Sequence, residues 1–271
     1  MTRQVAGHMD KAADNMRAPQ GRASPALAIR RLGKNFEALR AVSDIDLEIG
    51  RGERHAILGP NGAGKTTLFN LVTGDLLPSS GTILLDGRDV TRLPTHLRIR
   101  SGLRRTYQKS LLFGSLTVEK NLFLAVSGVR GRRQALFPGR ADKSLYEEAH
   151  RCAEQVYLTD MLDKTVDNLS YGQQRQLEIG MALVGEPHLL LFDEPAAGLS
   201  PTERTHLTDL LEQLPRDLSI GLIEHDLDIA LKVADRVTIM QDGRILASGT
   251  PAEIVADEAV QRIYTGESHH G

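Results

Sequence analysis

The chain has 271 residues, 41% apolar and 25% charged, the makeup of an ordinary globular protein long enough to bury a core without disulfide or metal staples. Its 33 basic and 35 acidic side chains leave a formal charge of −2, so no global field draws it onto nucleic acid or anionic lipid. A single cysteine, Cys152, excludes an internal disulfide and a thiolate-cluster zinc site, and no apolar run approaches the roughly 18 residues of a membrane span.

Residues 1–24 carry four basic and two acidic side chains among Pro, Gly, Ala and Gln, with no apolar periodicity. They read as a disordered tail without the apolar segment of a secretory signal, which places the protein in the cytoplasm. From Pro25 the pattern turns to strands: Leu27 to Leu32, then Val42 to Ile49, where Ile45, Leu47 and Ile49 alternate with Asp44, Asp46 and Glu48. His55 to Leu58 runs into a glycine-rich turn, and a helix follows from Lys65 to Val72. Strand, glycine loop and helix together form an α/β nucleotide-binding entry.

Further along, a strand at Thr82 to Leu85, a helix near Pro94 to Arg100 and a strand at Leu103 to Tyr107 are expected. The middle third reads as helical, over Val118 to Val126, Lys143 to Tyr157 and Tyr171 to Val184, and forms an insertion into the core. The sheet resumes with Leu189 to Asp193, a helix over Thr202 to Leu214 whose Leu207, Leu210, Leu211 and Leu214 share one face, and a strand Ser219 to Glu224. A helix Leu227 to Ala234 and strands Val237 to Met240 and Ile245 to Ser248 complete it. Strands apolar on both sides, alternating with helices, imply a mainly parallel sheet covered on both faces.

Three motifs carry chemistry. Gly59 to Thr66, GPNGAGKT, fits the phosphate-loop pattern G-x-x-x-x-G-K-[ST] in full. In that pattern the backbone N–H groups converge on an anion, Lys65 adds a point charge for the β- and γ-phosphates, and Thr66 offers a hydroxyl to Mg²⁺. Leu189 to Phe192 ends in Asp193 and Glu194, where a carboxylate can join a Mg²⁺ shell and its neighbour can accept a proton from attacking water. Leu169 to Gln174, LSYGQQ, opens a helix with Ser170 as cap and Gln173 as its capping-box partner, a second anion-seeking helix start with no lysine beside it. Two such starts in one chain suggest that one serves another molecule's nucleotide.

Together these residues resemble the ATP-binding cassette (ABC) ATPases, from Leu27 to the C-terminal end. Leu169 to Gln173 looks like the family signature, with Tyr171 in place of the first glycine of its pair. Gln108 matches the lid glutamine, and His225 the switch histidine. Phe36, 29 residues before Lys65, matches the aromatic that stacks on adenine, with a core phenylalanine as the competing reading. The resemblance implies a P-loop NTPase core in residues 25–271, with a mainly parallel sheet, an antiparallel β subdomain and a helical subdomain inserted over roughly residues 110–182. It implies ATP and Mg²⁺ held by Phe36, Gly59, Asn61, Gly62, Gly64, Lys65, Thr66 and Thr67, with Thr66, Gln108 and Asp193 toward the metal. Glu194, His225 and Gln108 are the implied catalytic residues. Ser170, Gly172 and Gln173 are implied to face the nucleotide of a second, head-to-tail cassette.

The runs Asp193 to Pro201, Gln176 to Met181 and Ala247 to Ile254 look most like the ATPases of branched-chain amino-acid importers. Urea or amide importers and lipopolysaccharide-type exporters are the nearest alternatives. The implied partners are a second cassette, identical or not, permease subunits and, through them, a solute-binding receptor. The implied place is peripheral, at the cytoplasmic face of the inner membrane. A DNA-repair or translation clamp is disfavoured by the absence of a heptad insertion and of net basic charge, and a small GTPase by the absence of N-K-x-D. In the inter-subunit loop, Ser200 replaces the usual acid, which costs a possible carboxylate contact across the dimer. Leu111, Leu112 and Phe113 are read either as core or as a partner contact, and the basic cluster Arg130 to Lys143 either as a solvated loop or as an anionic-lipid contact.

Overall fold

The computed structural model describes residues 24–107, 111–130 and 140–265. The chain opens with a long hairpin, β1 (Leu27–Phe36) and β2 (Leu39–Ile49), followed by β3 (Arg54–Leu58) and α1 (Lys65–Thr73). Next come β4 (Ser80–Leu85), the short β5 (Arg88–Asp89), α2 (Thr95–Arg100) and β6 (Leu103–Thr106). The helical stretch is α3 (Val118–Val129), α4 (Arg140–Gln155) and α5 (Tyr171–Leu183), each within a few residues of the span expected from periodicity. Then follow β7 (Leu189–Asp193), α6 (Pro201–Gln213), β8 (Ser219–Ile223), α7 (Leu227–Val233), β9 (Arg236–Gln241), β10 (Arg244–Gly249), α8 (Pro251–Ala256) and α9 (Glu258–Thr265).

Two sheets result. The smaller has the order β2-β1-β4-β5 and is antiparallel throughout. The larger has the order β10-β9-β3-β8-β7-β6, parallel from β9 to β6, with β10 added antiparallel at one edge. The strands of the larger sheet bury both faces by simple alternation. Leu189 and Leu191 of β7 join Ile57 and Ile223 in a cluster with α1 and the small sheet, while Leu190 and Phe192 join Ile220 and Leu222 in another with α3 to α7. The inserted helices therefore share one continuous hydrophobic cluster with β7 and β8.

The first strand runs four residues past its expected end at Leu32. Register shifts between Ile29 and Asn35, with Arg31 at φ 43°, break the period-2 burial pattern that alternation depends on. Helices α8 and α9 were not anticipated, although Thr250 and Glu253 form a capping box with Pro251 in the first turn, a signal present in the sequence. Cys152 is buried, and desolvation pushes its thiol up to about 11, away from the thiolate form that reacts.

Candidate nucleotide site

Parallel strands β3, β8 and β7 lie side by side, so the segments that leave their C-terminal ends meet. From β3 the chain enters Gly59, whose backbone passes so close to β9 that a Cβ there would sit 2.0 Å from the Met240 carbonyl oxygen. At the other end of the loop Gly64, at φ 98°, caps α1, and a Cβ would stand 2.4 Å from the Ala41 carbonyl oxygen. Only glycine fits either place. The loop is fastened by Ala63 N–H donating to the Pro60 carbonyl (3.2 Å) and Gly243 N–H donating to the Ala63 carbonyl (3.1 Å). Between these points Asn61 and Gly62 are exposed, and Thr66 is exposed in the first turn of α1.

The Lys65 side chain is buried, and its Nζ donates to the carbonyls of Gly59 (2.6 Å) and Pro60 (3.1 Å). Burial pulls the ammonium below the ordinary lysine range, and the charges of Glu194 and Asp193 oppose that pull. A cation folded back on its own loop, with carboxylates nearby, is a site organised for an anion and a counterion.

Asp193 ends β7 at 5% exposure, and Arg105 on the neighbouring strand β6 donates to its Oδ2 at 2.5 Å. The Arg105 guanidinium is also buried, donates to Asn70 Oδ1 on α1 (2.6 Å) and lies over the ring of Tyr107. This clamp joins α1, β6 and β7 behind the phosphate loop, and no local pattern in the sequence announced it. Glu194 follows at φ 50°, in the left-handed region that non-glycine residues rarely adopt, held by its N–H to the Ile223 carbonyl (2.9 Å) and by Ala197 N–H to its own carbonyl (3.1 Å).

Beside it, at the end of β8, Glu224 is fully buried and was not singled out from sequence. Its carboxylate accepts from Ala196 N–H (3.0 Å) and His225 N–H (3.2 Å), tying the segment after Glu194 to the histidine. Burial raises its pKa above the ordinary carboxylate range, against the lowering effect of these donors. The His225 ring is about half-exposed, its Nδ1 3.8 Å from Glu224 Oε2.

The second anion-seeking helix start is built as its sequence indicated. Ser170 Oγ accepts from Gln173 N–H (3.2 Å), and Gln173 Oε1 accepts from Ser170 N–H (3.0 Å). Tyr171 turns outward, its hydroxyl accepting from Arg175 at 2.5 Å, and its ring packs where a side chain on Gly198 would otherwise reach. Ser200, read from sequence as a lost acid, is the N-cap of α6 and makes a capping box with Glu203.

Phe36 stands at the tip of the first hairpin, 41% exposed and outside the hydrophobic clusters, with Lys34 Nζ 5.0 Å from its ring centroid. Ala41, on the returning strand of the same hairpin, is the residue that touches Gly64. Gln108 lies outside the described residues. Beyond it Leu111 and Phe113 are exposed, while Leu112 packs partly against the helical core. The fully buried Asn121 pins the Phe113 backbone with bonds to its N–H (2.9 Å) and carbonyl (3.1 Å). Leu111 and Leu112 line a groove of about 1030 Å³ that also includes Ile99, Tyr107, Leu124 and Met181. Of the basic cluster, Arg130 is paired with Glu148 and Lys143 stands 3.9 Å from Glu147, while residues 131–139 lie outside the described residues. No helix among the described residues is long and apolar enough to cross a membrane.

Residues 42–197 match the family model for ABC transporters, and residues 244–270 match that for branched-chain amino acid ATP-binding cassette transporters. The chain is 38% identical over 254 residues, 90% of its length and 99% of the relative's, to the high-affinity branched-chain amino acid transport ATP-binding protein LivG of Salmonella typhimurium. It is 35% identical over 243 residues, 89% of its length and 97% of the relative's, to the lipopolysaccharide export system ATP-binding protein LptB of Escherichia coli. Among solved structures, the ADP conformation of an ATP-binding cassette of an ABC transporter superposes with a TM-score of 0.80 at 28% identity, covering 90% of this chain and 99% of that one.

Proposed function

The chain belongs to the ABC transporter ATP-binding family, whose cassettes hydrolyse ATP, and we propose that it powers an importer for branched-chain or related amino acids. In this reading two cassettes meet head to tail beneath separate permease subunits, at the cytoplasmic face of the inner membrane, and the permeases receive solute from a binding receptor. The observation that carries the choice of solute is the agreement of residues 244–270 with the branched-chain cassette model, outside the ATPase motifs common to the whole family.

Each residue has an assignment. The backbone of Gly59 to Gly64 and the N-terminus of α1 take the phosphates of ATP, with Asn61, Gly62 and Thr67 along the same loop. Lys65 exchanges its carbonyl partners for phosphate oxygens, and Phe36 offers its exposed ring to adenine. The donors fit magnesium. Thr66 and Asp193 would supply hard oxygen ligands, the donor type magnesium takes together with nucleotide phosphates and water. Gln108 is assigned to the same shell. When bound, magnesium neutralises charge on the β- and γ-phosphates.

Glu194 polarises the attacking water and His225 holds the γ-phosphate, while Ser170, Gly172 and Gln173 of the opposite cassette complete the site. Placement and charge are what a loose phosphoryl-transfer transition state requires. ATP closes the pair because it binds the closed state better, and hydrolysis removes that difference. The exposed Leu111 and Phe113, beside the groove between core and inserted helices, face the permease.

The 35% identity to a lipopolysaccharide export ATPase supports a second reading, export of a lipid. The test is reconstitution of the chain with its neighbouring membrane subunits in vesicles. Stimulation of hydrolysis by a receptor loaded with a branched-chain amino acid is expected. Stimulation by lipopolysaccharide, and none by loaded receptor, overturns importer function.

A further inference from the structure

The start of α5 is assigned above to the ATP of the opposite cassette, yet in the isolated chain an anion already stands there. It is Glu203, from the first turn of α6. Its Oε1 accepts the Gly172 N–H at 3.0 Å. Its Oε2 accepts the Ser200 N–H (3.0 Å) and the Ser200 hydroxyl (2.8 Å). One carboxylate thus bridges the N-termini of two helices, with one oxygen on each. The approach is close enough that a Cβ on Gly172 would lie 2.8 Å from Oε1. Hydrogen bonds from the Ser200 hydroxyl and backbone, then from Gly172, hold the carboxyl below the ordinary carboxylate range, and the Ser170 hydroxyl contributes in the same direction. The group is therefore an anion at neutral pH, hydrogen-bonded to the Gly172 N–H, one of the groups proposed for the incoming phosphate.

Two anions do not share one N–H. A γ-phosphate oxygen that takes the Gly172 N–H must displace Oε1, and until it does, like charge opposes its approach. The α6 cap survives the exchange, because Oε2 alone serves Ser200. We infer that Glu203 is a built-in occupant of the trans half-site, which holds the signature helix in shape without nucleotide and sets the ATP-driven dimerisation threshold by competing with the γ-phosphate. This rests on the head-to-tail assignment of Ser170 and Gly172. The groups that compete all belong to this chain, and the ligand that displaces the carboxylate is a nucleoside triphosphate on a second cassette.

The decisive comparison is Glu203→Gln, which keeps an acceptor for the α6 cap and removes the charge. It is made in the full chain carrying Glu194→Gln, so that ATP persists, with sedimentation measured over a range of protein concentration in ATP and Mg²⁺. The double variant is expected to dimerise roughly threefold to tenfold more tightly than Glu194→Gln alone, with the same thermal midpoint without nucleotide. Equal or weaker dimerisation at an unchanged midpoint overturns the inference and leaves the head-to-tail reading standing. Failure of Glu194→Gln itself to dimerise with ATP overturns that reading, and the inference with it.

A second measurement needs no nucleotide. Amide exchange at Gly172 is expected to be slow in the parent and at least tenfold faster in Glu203→Ala, and equal rates overturn the inference.

Discussion

Arg105→Met tests whether the clamp behind the phosphate loop holds Asp193 in place. Arg105 and Asp193 have side chains exposed by only 4% and 5%, and they meet at 2.5 Å. Removing one member of such a pair leaves a buried charge without its partner, a loss of about 3–5 kcal/mol. Methionine keeps much of the volume of the arginine stem, so little of that figure is cavity, while the lost bond to Asn70 adds about 1 kcal/mol. At roughly 2–4 °C per kcal/mol for a chain of this size, the apparent melting midpoint should fall by about 10 °C or more. Thermal unfolding followed by circular dichroism, without nucleotide, reads this directly. Adding Asp193→Asn to Arg105→Met removes the stranded charge and should restore part of the loss, giving a coupling of about 2 kcal/mol between the two positions. If Arg105→Met costs under about 1 kcal/mol and the two substitutions simply add, Asp193 does not depend on Arg105 and the reasoning fails.

Glu194→Gln should lower steady-state ATP hydrolysis at least about 100-fold while ATP still drives dimerisation; hydrolysis equal to the parent's would remove Glu194 as the residue that polarises water. Lys65→Ala should weaken ATP binding by about tenfold or more in a titration with the isolated chain, since the buried ammonium is the fixed positive charge of the loop, and unchanged affinity would count against the phosphate site. Glu224 makes a prediction about pH. Its folded pKa is raised by burial, so its contribution to stability is fully present below the unfolded carboxylate value and is lost as pH rises through the folded one. Glu224→Gln lacks that slope. As pH rises above the unfolded carboxylate value, the stability difference, parent minus variant, should therefore decline, and a constant difference would refute the linkage.

Much of the fold was legible because its helices and central strands obey one period each. Leu189 to Asp193 reads as an unbroken apolar strand because both of its faces are covered, and Leu207, Leu210 and Leu211 mark the buried face of α6. Legibility failed where the backbone left its period. The bulges of β1 hid its last four residues, and β5, two residues long, has no pattern to read.

The site divides along a different line. Residues proposed to contact nucleotide through the backbone are announced by glycine, because Gly59 and Gly64 stand where a Cβ would collide with a neighbouring carbonyl. Residues that act on those contacts from behind are ordinary charged side chains whose partners are distant in sequence, 88 positions away for Arg105 with Asp193, 28 for Glu224 with Ala196 and 31 for Glu203 with Gly172. No local spacing encodes such pairs, since the sheet order brings the first two together and the packing of α5 on α6 the third. Ser200 shows the difference within one motif. Read alone it is an acid lost from an inter-subunit contact, whereas in the structure it caps α6 and orients Glu203 toward Gly172. The negative charge missing at position 200 is supplied three residues later, aimed at the chain's own signature helix.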